Sequence, residues 1–158
     1  MDVNSKQFAE EYLLNEVKLI EAANVRLHLL AAIVHGIETA GALLDDKPFK
    51  AKGQGKKRFD LAVKKLFSQY YVESNSKINL YSQLRSHMAH CMLPAKTIQI
   101  IEGQNQKHLK FDQNMLHISL PQLFDDYCCA IEKLISMLET GQLKPKRIIF
   151  DNLNLKAR

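Results

Sequence analysis

The sequence contains no tryptophan, and only six glycines, four prolines and three cysteines among its 158 residues. So little glycine and proline excludes a collagen-like chain, and 46% apolar residues are too many for a disordered one. An odd number of cysteines without C-x-x-C spacing argues against a secreted scaffold built on disulfides. The length suits one globular domain, and we expect a single domain over residues 1–158.

Long apolar runs are also missing. No stretch approaches the roughly 18 to 20 uninterrupted apolar residues of a membrane span. The N-terminal sequence M-D-V-N-S-K lacks the basic and then apolar regions of a signal peptide. We therefore expect a soluble, cytoplasmic protein without a membrane partner.

The net charge of +5 is concentrated in one segment. Residues 45–65 contain eight basic and three acidic side chains and so carry the whole excess, while the rest of the chain is neutral. A local excess of this kind predicts an anionic partner. The candidate binding residues are Lys50, Lys52, Lys56, Lys57 and Arg58.

Hydrophobic periodicity predicts a mainly α protein, a helical bundle with a small antiparallel β element before the last long helix. The expected helices cover residues 5–44, with any break near 20–24, and then 56–71, 77–92 and 120–140. The β element is expected at about 97–119, and a basic tail of uncertain order follows at 142–158.

Local signals place several element ends. Asn4 and Gln7 have the spacing of a capping box, as do Ser119 and Gln122. The polar residues 73–76 predict a turn between two helices.

Two further signals concern packing and pairing. Residues 103–106 predict a hairpin turn between the first two strands of the β element. Gly36 and Gly41 lie inside a predicted helix, where close approach of a neighbouring element explains them.

The predicted helix 77–92 carries the residues with the most chemical potential. At 100° per residue its apolar side chains form one face, which we expect to be buried. These residues are Leu80, Tyr81, Leu84, Met88, Cys91 and Met92. Arg85 and His87 lie just beyond the two edges of this face, and His90 lies on a separate polar face with Ser86.

Each of these polar residues has a functional and a structural interpretation. His90 is either a functional group or an ordinary solvated histidine, whereas a structural role is favoured for His87. Arg85 is either functional or part of an ion pair with Glu38, the lone acid of the apolar run 31–44. Both possibilities stay open for Arg85.

Other chemistry-bearing residues have simpler explanations. His87, His90 and Cys91 point in different directions without a carboxylate to complete a set, so we expect no metal and no other cofactor. Asp125 and Asp126 are favourable near the start of the last helix on electrostatic grounds alone. The tyrosines at 70, 71 and 81 have helical spacing, which favours packing in the core over stacking on bases.

The segment R-S-H-M-A-H, from Arg85 to His90, matches the R-x-x-x-x-H motif of the HEPN superfamily. These small helical domains occur in prokaryotic toxins, antiviral nucleases and nucleotide-binding proteins. Over residues 25–140 the chain also resembles a group of uncharacterised bacterial HEPN-like proteins, notably in I-E-T-A-G-A-L-L-D-D-K-P-F-K-A-K-G-Q-G-K-K-R-F and in L-Y-S-Q-L-R-S-H-M-A-H-C-M-L-P-A-K. Catalytic members often have Asn, Asp or His directly after the arginine, where this chain has Ser86.

The resemblance implies a HEPN-like antiparallel bundle acting as a metal-independent endoribonuclease of a toxin or defence system, with an antitoxin or a nucleotidyltransferase as a further partner. Arg85 would hold the phosphate, His90 would act as acid or base on the ribose 2′-hydroxyl or the leaving 5′-oxygen, and Ser86 would orient His90. Glu38 and His87 would support them. The alternative is a non-catalytic nucleotide-binding or protein-assembly module of the same fold.

The resemblance also implies a site shared across a homodimer, and helix geometry agrees. Arg85 and His90 differ by about 140° in direction and about 7.5 Å along an α-helix, so one chain aims them poorly at a common atom. Two such helices packed antiparallel about a symmetry axis would bring each arginine near the histidine of the other copy.

Overall fold

The computed structural model of the chain describes residues 2–103 and 106–149. Within them lie six helices and five short strands. The helices are α1 (residues 5–22), α2 (Arg26–Leu44), α3 (Gly55–Leu66), α4 (Gln69–Ile78), α5 (residues 81–91) and α6 (Leu120–Glu139). The strands are β1 (Asp2–Asn4), β2 (Ile98–Ile101), β3 (Lys110–Asp112), β4 (Met115–Ser119) and β5 (Arg147–Ile149). The prediction of a mainly α protein with a small β element is confirmed.

Two helices contain π-helical turns, which the periodicity did not predict. α1 is π-helical over Ala9–Asn15, between α-helical Ser5–Phe8 and Glu16–Ala22. α5 is π-helical over Tyr81–Ser86 and α-helical over His87–Cys91. Because a π-turn contains more residues than an α-turn, the rotation per residue across Tyr81–Ser86 is smaller than the 100° of an α-helix.

The predicted ends are confirmed at several helices. Asn4 and Gln7 form both hydrogen bonds of a capping box at the start of α1. The side chain of Ser119 accepts from the backbone N–H of Gln122 at the start of α6. The expected break near 20–24 falls at residues 23–25, between α1 and α2.

Two predicted helices differ from the structure. The helix expected at 56–71 is divided at Phe67 and Ser68, whose extended backbone separates α3 from α4. The apolar stripe hid this break because side chains on both sides of it face the same core.

The turn expected at residues 73–76 is wrong, since these residues lie inside α4. Ser74 is buried, and Asn75 has partners within the fold, since it donates to Oδ1 of Asp60 and accepts from the backbone N–H of Leu80. The helix ends instead at Asn79, with φ of 55°. Asparagine tolerates this left-handed conformation better than most residues.

The strands form two sheets. In the three-stranded sheet the order is β2-β4-β3, with β3 antiparallel and β2 parallel to β4. The antiparallel part is therefore the β3–β4 hairpin, which turns at Gln113 and Asn114, both with positive φ. β2 and β3 are not paired, so the hairpin expected around 103–106 is wrong, and residues 104 and 105 lie outside the described part.

The tail forms part of the fold as far as the structure describes it. β5 pairs antiparallel with β1, and Ile148 of β5 is buried against the core. The remainder of the expected tail, residues 150–158, lies outside the described residues.

The core is built around α2 and α6. Tyr127, Ile131 and Leu134 of α6 are fully buried, and the hydroxyl of Tyr127 donates to the carbonyl of Leu13.

α2 is long and apolar enough to cross a membrane by length and composition, but 61% of that stretch is buried inside the fold. This burial is compatible with a soluble protein.

The glycines of α2 allow two close approaches, as predicted. A Cβ at Gly36 would lie 2.2 Å from the hydroxyl of Tyr127. A Cβ at Gly41 would lie 1.9 Å from the backbone oxygen of Arg58 on α3. The second contact is with backbone, which cannot rotate away as a side chain can.

We expect Gly41→Ala to destabilise the protein because it forces α2 and α3 apart. Because the contact is with backbone, we expect the upper end of the usual cost of overpacking, about 3 kcal/mol, against a gain of about 1 kcal/mol in helix propensity. A net loss of about 2 kcal/mol corresponds to a fall in Tm of roughly 4–8 °C for a chain of this size. Gly103→Ala is the matched control, since nothing lies within 4 Å of its added Cβ. Equal thermal stability of the two variants by circular dichroism would contradict this prediction.

Candidate functional site

Arg85 lies in the π-helical turn of α5 and faces Glu38 of α2. Nε of Arg85 is in contact with Oε2 of Glu38, and both atoms are shielded from solvent. The guanidinium also lies 5.7 Å from the ring centroid of Tyr81, four residues earlier. The ion pair considered from the sequence is therefore present, and it fixes the direction of the Arg85 side chain.

Arg85 nevertheless keeps hydrogen-bonding capacity. Its side chain is 25% exposed, and neither terminal nitrogen donates a hydrogen bond within the described residues. A guanidinium has five N–H donors in a planar fork. Glu38 occupies the Nε edge, so the terminal nitrogens are left to bind an anion such as a phosphate.

His90 lies one residue before the C-terminal end of α5 and is exposed. Its ring has no hydrogen bond or ion pair to the described residues. Ser86 is half-buried, and its hydroxyl does not hydrogen-bond His90. The orienting role expected for Ser86 is therefore not seen in the single chain.

The rest of α5 agrees only in part with the predicted faces. Leu80, Leu84 and Met88 are buried as expected. Cys91 and Met92 are exposed, because Met92 ends the helix with φ of 60° and the chain turns away from the core. His87, for which the sequence favoured a structural role, is also exposed.

The basic segment divides into exposed lysines and one buried arginine. Lys50, Lys52, Lys56 and Lys57 are exposed, as a nucleic-acid contact requires. The prediction does not hold for Arg58, which is only 6% exposed. Its side chain points from α3 into the preceding loop, so it cannot contact the backbone of a bound nucleic acid.

The side chain of Arg58 holds this loop together. Nε donates to Oδ2 of Asp45 at 2.7 Å, and the terminal nitrogens donate to the carbonyls of Pro48 and Phe49 at 2.9 and 2.8 Å. Nζ of Lys146 donates to Oδ1 of Asp45 at 2.7 Å and to the carbonyls of Ala42 and Lys47. Burial alone would raise the pKa of Asp45, but the hydrogen bonds from Arg58 and Lys146 outweigh it and lower that pKa.

The basic segment lies directly beside Arg85 and its partners. A Cβ at Gly55, the first residue of α3, would lie 2.6 Å from the hydroxyl of Tyr81 and 3.0 Å from Oε1 of Glu38. A cavity of about 160 Å³ beside Glu38 is also lined by Phe49. The exposed lysines at 56 and 57 follow Gly55, so they are close in sequence to a residue that touches the partners of Arg85.

A second polar cluster lies elsewhere, between α4, the loop before β3 and α6. The hydroxyl of Tyr71 lies 3.0 Å from Nε2 of His108 and donates to Oδ2 of Asp126 at 2.7 Å. The sequence interpretation missed this cluster, since it assigned Tyr71 to the core and Asp126 to the helix start. The residues are 37 and 55 positions apart, and no sequence signal brings them together.

Among the described residues no group of three or more His, Cys, Asp or Glu side chains could hold a metal ion.

The chain was also compared with protein-family models, with curated proteins and with solved structures, and none of the three comparisons found a match.

Proposed function

We propose that the protein is a HEPN-like, metal-independent endoribonuclease whose site is shared by two copies of the chain. The observation that carries the proposal is the state of Arg85. Its Nε edge is fixed by Glu38, while its terminal nitrogens stay available on the helix that also presents the exposed His90. The exposed lysines of the basic segment would contact the RNA backbone beside this pair.

The chemistry needs only these side chains. A neutral His90 would take the proton of a ribose 2′-hydroxyl, whose oxygen attacks the adjacent phosphorus while the bond to the 5′-oxygen breaks. Water would give the leaving 5′-oxygen its proton. Arg85 would stabilise the extra negative charge on the phosphate oxygens in the transition state. The products are a 2′,3′-cyclic phosphate and a 5′-hydroxyl.

Apolar exposure near His90 favours a second copy as the occupant of this face. Met92 and Leu93, directly after α5, are 39% and 57% exposed, and Ala89 and Cys91 are exposed beside them. Apolar side chains grouped in this way around a polar residue are typical of interaction sites. A symmetric contact here would bury them and place the two copies of His90 close together.

The Arg85–Glu38 pair also favours a second candidate, a non-catalytic module that binds a nucleotide or a protein at the same residues. Glu38 balances part of the charge of Arg85, which weakens its stabilisation of a transition state more than its binding of a ground-state phosphate. An antitoxin or a nucleotidyltransferase is the protein partner that the family resemblance suggests for either candidate.

Incubation of the purified protein with RNA in excess EDTA tests the catalytic proposal. The expected result is RNA cleavage with 2′,3′-cyclic phosphate ends, and no cleavage of DNA of the same sequence, because DNA lacks the attacking 2′-hydroxyl. Cleavage of the DNA at a similar rate contradicts the mechanism. An intact RNA together with a rise in Tm on adding nucleotides contradicts catalysis and supports the binding module.

A further inference from the structure

The polar cluster at Tyr71 forms one wall of an open cavity of about 450 Å³. α4 contributes Tyr70 and Tyr71, and α6 contributes Gln122 and Asp126. His108 comes from the segment before β3, and Lys110 is the first residue of β3. The cavity is lined by neither Arg85 nor His90, so it is a site distinct from the one proposed above.

The hydrogen bonds in this wall have a defined direction. The backbone N–H of Ser119 donates to Nδ1 of His108 at 3.1 Å, so Nδ1 is an acceptor and the proton of the neutral ring is on Nε2. Nε2 then donates to the hydroxyl oxygen of Tyr71, which is 3.0 Å away. The hydroxyl of Tyr71 in turn donates to Oδ2 of Asp126. The whole chain of donors points at the carboxylate of Asp126.

Asp126 is ionised and partly open to the cavity. Burial would raise its pKa, but the nearby His108 ring and the hydrogen bonds from Tyr71 and Gln122 lower it below the ordinary value. Its side chain is 32% exposed. Tyr71 donates to Oδ2, and Nε2 of Gln122 donates to Oδ1 at 3.0 Å. Each carboxylate oxygen therefore has an internal donor that fixes its orientation and a further lone pair directed elsewhere.

A fixed carboxylate with one acceptor position on each oxygen matches a planar group that has two adjacent N–H donors. A single ammonium group cannot make two parallel hydrogen bonds of this kind. Tyr70, which the sequence interpretation placed in the core, is instead 72% exposed at the same cavity and offers a ring face for stacking. Lys110 adds an exposed cation at the cavity.

The backbone next to His108 is strained, which is a second sign of a specialised site. Leu109 has φ of 58°, in the left-handed region that branched side chains rarely adopt. Its N–H donates to the carbonyl of His117 in β4, which fixes this conformation. Strain of this kind is concentrated at ligand sites and active sites.

We propose that this cavity binds a planar ligand through two adjacent N–H donors, as in the N1–H and N2–H edge of guanine or in a guanidinium group. The ligand edge pairs with both oxygens of Asp126, and its plane stacks on Tyr70. Adenine fails because it has an acceptor at N1, where the carboxylate requires a donor. Lys110 favours a ligand that also carries a phosphate. The site is independent of catalysis at Arg85 and His90.

Isothermal titration calorimetry of the full chain with guanosine 5′-monophosphate, adenosine 5′-monophosphate and L-arginine tests this site. We expect saturable binding of the guanine nucleotide and affinity for the adenine nucleotide weaker by about tenfold or more. Asp126→Asn is expected to lose a similar factor, because an amide puts an N–H donor in place of one acceptor. Asp125→Asn is the matched control, since Asp125 is exposed and does not line the cavity.

Tyr70→Ala keeps the test valid if Asp126→Asn fails to fold. Its side chain is 72% exposed, so its removal should disturb the fold little, and loss of stacking is expected to weaken binding by about fivefold or more. Binding of L-arginine but not of the guanine nucleotide supports the proposal with a guanidinium group as the donor of the two N–H groups. Equal affinity for both nucleotides, or no binding of any of the three at millimolar concentration, overturns the proposal.

Discussion

Replacement of His90 by alanine is expected to reduce the rate of metal-free RNA cleavage by about 10²- to 10⁴-fold, the usual contribution of a general acid or base. The loss should not be accompanied by unfolding. His90 is exposed and has no hydrogen bond to the described residues, so its removal should change the free energy of unfolding by no more than about 0.5 kcal/mol. Cleavage rates and thermal melts of the same preparations measure both effects.

His28→Ala is the matched control for this experiment. His28 is also exposed, but it lies near the start of α2 and outside the proposed site. We expect its cleavage rate to equal that of the unmodified protein. A His90 variant that cleaves as fast as the His28 variant would show that His90 is not a catalytic residue.

A mixture of Arg85→Gln and His90→Ala proteins tests whether the site is shared. In a mixed dimer, one composite site keeps both an arginine and a histidine if the two residues come from different copies. The mixture should then recover about a quarter of the normal rate, since half of the dimers are mixed and each has one intact site. No recovery after subunit exchange would mean that each chain builds its own site.

Asp45→Ala is expected to destabilise the fold by about 3 kcal/mol, the largest effect on stability that we predict. The carboxylate is the common partner of Arg58 and Lys146, and all three side chains are at most 16% exposed. Removing it leaves two nearly buried cations without their counter-charge. Asp46→Ala is the matched control, because Asp46 is exposed and adjacent in sequence. Urea unfolding at pH 7 measures the difference between the two variants.

The stabilisation by Asp45 should depend on pH in a defined direction. Its pKa in the folded protein lies below its ordinary value of 3.8, so the contribution is complete above that value and is lost as the pH falls through the folded pKa. The gap in stability between the unmodified protein and Asp45→Ala should therefore narrow when urea unfolding is repeated at about pH 3. A gap that stays constant from pH 7 to pH 3 would mean that the charge of Asp45 is not what stabilises the loop.

The helices and strands could be predicted wherever burial imposed a regular pattern. The periodic apolar residues of α2 and α6 and the alternation in β4 located these elements correctly. In β4 the apolar Leu116 and Ile118 are buried, and the polar His117 and Ser119 on its other face are buried as well. Residues 73–76 were misplaced for the opposite reason. Serine and asparagine favour turns over helix interiors because their side chains compete for backbone hydrogen bonds. The sequence could not show that the side chain of Asn75 is instead bonded to Asp60 and to the backbone of Leu80.

Within the candidate site the ion pair of Arg85 with Glu38 could be predicted from the sequence, whereas the local helix geometry around it could not. The spacing of Arg85 and His90 singled them out, and the lone acid of the apolar run identified Glu38 as the ion-pair partner. The π-helical turn could not be foreseen, since it depends on packing between helices. Arg58 was misjudged because its neighbours in sequence are exposed lysines, whereas its position on α3 directs it into the loop.

The pairing of β1 with β5 has a consequence for the kinetics of folding. The hydroxyl of Ser5 donates to the backbone carbonyl of Lys146 and accepts from the backbone N–H of the same residue, 141 positions away in sequence. Closing so long a loop costs more entropy than forming the neighbouring helix contacts, so we expect the β1–β5 pairing to form after the helices have packed. Interactions that form after the transition state act on the unfolding rate and hardly on the folding rate. We therefore expect the β1–β5 pairing to set how slowly the folded chain unfolds, and the packing of the helices to set how fast it folds.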